Sequence, residues 1–104
     1  MIVEALAAAA LSRVQVIADE WSLVLSRQRL GAGPALVELV NMGEDDHDLR
    51  LRSTAPHSRT LRIGTVFPGE VGELSARLAP GTYRLWCSLP GHAADGMRAT
   101  LVVR

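Results

Sequence analysis

Gly81-Thr-Tyr-Arg-Leu-Trp-Cys87-Ser-Leu-Pro-Gly-His92-Ala-Ala-Asp-Gly-Met97-Arg-Ala-Thr-Leu-Val-Val103 is the stretch on which the fold turns. It begins with period-two alternation, breaks at Pro90 and Gly91, and resumes as an apolar run after Arg98. That is the pattern of two strands joined by a loop. Alternation puts Tyr83, Leu85 and Cys87 on one face, so the thiol turns inward at the end of its strand. Cys87, His92 and Met97 fall within eleven residues. Soft sulfur favours Cu(I), imidazole accepts both Cu(I) and Cu(II), and a thioether makes a long, weak contact, so this donor set suits copper.

Upstream, His47 follows Glu44-Asp45-Asp46 and shares parity with Leu49 and Leu51. It therefore also faces inward, at the start of its own strand, and two such strand ends can meet at one pole of a sandwich. His57 follows Pro56 in a polar loop and reads as a surface histidine. The bland explanation of the trio is a buried free cysteine, a loop histidine and a core methionine. Three ligand types in one Gly/Pro-rich loop, with a matching upstream histidine, weigh against it.

Period-two segments recur at 14–19, 21–26, 35–41, 48–53, 60–63, 73–78, 82–87 and 98–104, separated by Gly- and Pro-containing turns. Seven or eight short strands of this kind predict an all-β antiparallel sandwich. Trp21, Leu23 and Leu25 share a face, and Trp21 reads as core. Trp86 alternates away from Cys87 and reads as cover for the sheet's outer face or a loop.

A chain of 104 residues makes one domain, 13–104. Residues 1–12 are apolar and alanine-rich: either a signal remnant or anchor, or a short N-terminal helix, and too short to span a bilayer. Eleven arginines balance eleven acids, with no lysine. No basic stripe shows along the chain, so nucleic acid is not an expected partner. A single cysteine excludes an internal disulfide.

The 81–103 stretch, together with Asn41-Met-Gly-Glu-Asp-Asp-His47-Asp-Leu49, resembles the cupredoxins, the small type 1 (blue) copper proteins. The loop spacing is most like that of azurin and rusticyanin. The resemblance implies a Greek-key sandwich and one copper ion cycling between Cu(I) and Cu(II). His47, Cys87 and His92 would be its strong ligands and Met97 its weak axial one. Tyr83 matches the family's tyrosine corner. Asp48 stands where many members have Asn, with Ser88 as its expected partner, and its charge is expected to lower the reduction potential.

The implied function is single-electron transfer by a monomer, docking transiently with a redox protein through the apolar surroundings of His92: Leu89, Pro90, Ala93 and Ala94. The alternative from the same ligands is copper handling, meaning delivery, buffering or sensing. Three histidines are too few for the further copper centres of an oxidase, so a carrier rather than an enzyme is expected. Glu44, Asp45, Asp46 and Asp48 form either a solvated loop or a docking patch for a positively charged partner. An extracytoplasmic location is expected, with any membrane attachment confined to an N-terminal anchor.

Overall fold

A computed structural model describes residues 10–104. The expectation of a signal, anchor or helix over 1–12 falls largely outside them, although Ser12 already begins the first strand. Nine strands and one short helix follow in the order β1 (Ser12–Asp19), β2 (Ser22–Leu25), β3 (Arg29–Leu30), β4 (Gly33–Asn41), β5 (His47–Ser53), β6 (Thr60–Val66), β7 (Val71–Leu78), β8 (Gly81–Trp86), α1 (His92–Asp95) and β9 (Arg98–Val103). Two sheets form, β2-β1-β4-β7 and β3-β9-β8-β5-β6. The chain changes sheet between β2 and β3, β3 and β4, β4 and β5, β6 and β7, and β7 and β8, so the layers are stitched together at both poles.

The sandwich is as expected, but its sheets are mixed. β1 runs parallel to β4 and β3 parallel to β9. The two-residue β3, absent from the sequence reading, is why: it crosses to the other sheet between β2 and β4, so β4 returns beside β1 in the same direction. Two residues are too few to show a periodicity.

Inward alternation builds the core. Val14, Val16 and Ala18 of β1 and, beside them in the same sheet, Val37 and Leu39 of β4 point inward, as do Leu49 and Leu51 of β5 from the other sheet, all at 1% exposure or less. Leu51→Ala removes a fully buried side chain and is expected to cost about 2–5 kcal/mol, read by urea denaturation. Tyr83, 6% exposed on β8, donates its hydroxyl to Ala79 O at 2.9 Å, pinning the β7–β8 crossover. Among the described residues no buried side-chain N or O lacks a hydrogen-bond partner, as a well-formed interior requires. No helix of the described residues is long and apolar enough to cross a membrane.

Candidate metal centre

β5 and β8 run antiparallel, with Leu51 opposite Leu85. That register carries the start of β5 and the end of β8 to the same pole. His47 and Cys87 arrive there with 0% exposure, and His92, first residue of α1, swings in from the following loop. His47 Nδ1 lies 3.3 Å from His92 Nδ1, and Cys87 Sγ lies 3.5 Å from His92 Nδ1. One ligating atom from each of the three falls within 4.8 Å of the others. Donors bound about 2.0–2.3 Å from one ion at tetrahedral to trigonal angles would sit roughly 3.3–3.8 Å apart, so the two short separations fit a shared metal.

Burial pushes the Cys87 thiol above its ordinary pKa, against the pull of the Asp48 and Leu89 backbone amides. The Asp48 N–H points at Sγ from 3.5 Å. Metal binding therefore displaces a proton from sulfur, and these amides are set to stabilise the resulting thiolate. Met97 is also fully buried. Its N–H donates to His92 O and its carbonyl accepts from Cys87 N–H, both at 3.1 Å, which ties its backbone to both neighbours. The chain turns into it through Gly96, at φ 127°, where a Cβ would stand 2.7 Å from Trp21 O. Only glycine fits both demands.

Asp48 is 4% exposed. Its Oδ1 accepts the Ser88 N–H at 2.6 Å, Oδ2 accepts the Ser88 hydroxyl, and the Arg50 guanidinium stands 3.6 Å away. Asp48 thus bridges the two ligand loops and takes no part in the acidic surface loop, where Glu44, Asp45 and Asp46 are exposed. Around His92, Pro90 and Ala94 are exposed and Leu89 and Ala93 half-buried. His57, with φ 59°, is exposed in the β5–β6 loop at the opposite pole.

Three residues that organise this pole were not assigned to it from the sequence. Trp21 is not core. It is 39% exposed, in the β1–β2 turn, with its ring edge-on to His92 at 4.7 Å and to His47 at 6.5 Å between centroids. Period-two alternation had carried it inward with Leu23, but the chain reverses at Glu20-Trp21, and parity does not survive a turn. Beside it, Glu20 Oε1 stands 3.1 Å from His47 Nε2. The Glu20 carboxylate also accepts the N–H groups of Asp45 at 2.8 Å and Glu44 at 3.0 Å. These backbone bonds, chiefly Asp45 and then Glu44, with help from His47, hold Glu20 down at about 2. An anion on the far nitrogen keeps the proton there and leaves Nδ1 free to ligate.

Asn41 is the third, fully buried at the end of β4. It donates to Asp45 O and Val66 O and accepts the Gly43 N–H, shaping the loop that delivers His47. An asparagine before a glycine turn is a legible signal. Glu20 had none, because its partners lie 24 to 27 residues away.

Residues 53–104 match the sulfocyanin (SoxE) domain family. That half holds Cys87, His92 and Met97, while His47 precedes it. No curated protein sequence matches the chain. Similar solved structures include auracyanin B, at 22% identity and TM-score 0.70, covering 92% of this chain and 89% of that one. Auracyanin A, a blue copper protein from Chloroflexus aurantiacus, aligns at 16% identity and TM-score 0.72, over 91% of this chain and all of that one. Rusticyanin from Thiobacillus ferrooxidans aligns at 20% identity and TM-score 0.69, over 93% of this chain and 79% of that one. A sandwich of this topology, a His–Cys–His cluster at one pole and a family match over half its length together place the chain in the sulfocyanin family of cupredoxins.

Proposed function

We propose that this protein carries single electrons at a type 1 copper site held by His47, Cys87 and His92, with Met97 as weak axial ligand. The observation that carries the proposal is the spacing of the three ligating atoms, all within 4.8 Å of one another, with His47 and Cys87 buried and His92 half-buried. Copper held by the two imidazoles, the thiolate and the Met97 thioether would supply one-electron chemistry with little rearrangement. The chain's own residues do the rest. Glu20 and Asp48 hold the two sides of the cluster, the Asp48 amide faces the sulfur, and Trp21 covers His92. Further copper centres would need further histidines, and the third, His57, is at the other pole, which supports a carrier over a catalyst.

Burial of the ligands also favours a carrier over a delivery protein, which must surrender its ion. Adding Cu(II) to the purified protein is expected to give an intense thiolate-to-copper band and narrow copper hyperfine splitting in EPR. A colourless product rules the site out. Fast reversible voltammetry supports the carrier, whereas ready loss of copper to a weak chelator supports copper handling.

Asp48→Asn removes a buried negative charge beside the ligand loops while keeping an acceptor for Ser88. The reduction potential is expected to rise on the order of tens of millivolts. An unchanged redox titration would show that Asp48 only braces the loops. Half-buried His92 with Pro90 and Ala94 beside it supports transient docking of a redox protein at this pole. A lone thiol protected by metal is compatible with a location outside the cytoplasm, which fractionation of the source cells checks.

A further inference from the structure

Strand pairing assembles a surface that no linear run of sequence displays. On the outer face of the five-stranded sheet, Arg50 of β5 lies opposite Arg62 of β6, and Arg52 of β5 opposite Arg84 of β8. Trp86 sits between Arg50 and Arg98 in the next row, and Arg29 of β3 completes the face through Val102. Six of the chain's eleven arginines are therefore on one side of one sheet. Like charges directly opposite on neighbouring strands destabilise a sheet. Among the described residues only Arg50 has a carboxylate within ion-pair reach, that of Asp48. Apart from that one ion pair, the fold leaves the repulsion across this face unrelieved.

We infer that this arginine face docks an acidic protein surface, that of the redox partner; the inference rests on the electron-carrier reading for the partner's identity. Three features favour a protein. Arginine forks pair bidentately with carboxylates, and every cation here is arginine. The face is not flat: depressions of about 260 and 440 Å³ flank the Arg84–Trp86 ridge, the first reaching Arg98 and the second Arg52 and His57. Such hollows receive projecting side chains, whereas a bilayer or a duplex meets a continuous surface. Finally, the face adjoins the metal pole, since Trp86 is bonded to Cys87 and Arg98 to Met97. Exposed acids at 44–46 occupy that same pole, so charge is segregated, and an acidic partner is drawn to the arginine side in one orientation.

The test titrates the ¹⁵N-labelled full chain, as Cu(I) and as copper-free protein, with an oligoglutamate peptide, phosphatidylglycerol vesicles and a DNA duplex in parallel. The peptide is expected to shift the Trp86 indole N–H and the side-chain N–H signals of Arg52, Arg84 and Arg98. Added salt should weaken its binding. Arg52→Gln with Arg84→Gln is expected to lower its affinity about fivefold or more. Arg13→Gln with Arg77→Gln, on the other sheet, should leave it unchanged. Equal affinity in the Arg52/Arg84 double variant, or shifts away from this face, overturns the proposal. Arginine-dependent binding of vesicles or DNA without binding of the peptide overturns it too and hands the face to lipid or nucleic acid. Peptide binding by a protein that stays colourless with copper sinks the electron-carrier reading alone, and a blue protein without arginine-dependent binding sinks docking alone.

Discussion

Cys87→Ser is expected to abolish the visible copper band and to weaken copper binding by more than about 100-fold, beyond the loss usual for an outer-partner change. The band requires the thiolate, and no second cysteine exists to replace it. Serine is nearly isosteric and keeps an acceptor for the Asp48 N–H that faces position 87, so the sandwich should survive. Circular dichroism of the copper-free variant checks this, and absorption and EPR after Cu(II) addition check the site. A serine variant that still turns blue would remove Cys87 from the ligand set and the electron-carrier proposal with it.

Glu20→Gln should have the second largest effect. The amide still accepts a hydrogen bond from His47 Nε2–H but no longer supplies an anion there. Copper affinity is expected to fall about 10–100-fold, and the reduction potential to rise on the order of tens of millivolts, because the oxidised ion loses the nearby charge. Glu20→Ala removes the hydrogen bond as well, so comparing the two variants separates charge from orientation. Redox titration and competition with a copper chelator read the outcomes. If Gln and Glu give the same potential, Glu20 serves only to hold the loop.

The same carboxylate carries a pH prediction for the copper-free protein. Its pKa is lowered from 4.5 to about 2 on folding, chiefly by the Asp45 and Glu44 amides. The folded state therefore binds its proton less readily than the unfolded chain does. The resulting stability is fully present above about pH 4.5 and is lost as pH falls toward 2. Wild type and Glu20→Gln should thus differ in urea midpoint at neutral pH and converge near pH 2. A gap that persists at pH 2 would assign the difference to packing.

Most strands were legible because one face of each is buried and the side chains alternate, as in β5, where Leu49 and Leu51 are fully buried and Arg50 and Arg52 are not. The inward ends at His47 and Cys87 follow from the same rule. Illegible were β3, too short for any period, and the β1–β2 turn, where Trp21 leaves the parity of its strand. Glu20 meets His47 only because β1 and β4 pair in parallel, with Ala18 opposite Asn41, bringing the β1–β2 turn to the loop that follows β4.

By itself the chain determined its ligand chemistry, its sandwich and the inward aim of His47 and Cys87, since these depend on residue type and on a two-residue period that is local to a strand. Which charges meet was left to tertiary structure. Glu20 against His47 and arginine against arginine across β5, β6 and β8 are set by strand order and register, which also bring about the Asp48–Ser88 pairing that the family resemblance implied. Those are properties of pairs of distant segments, fixed by how two sheets close over one core, and no single segment contains them.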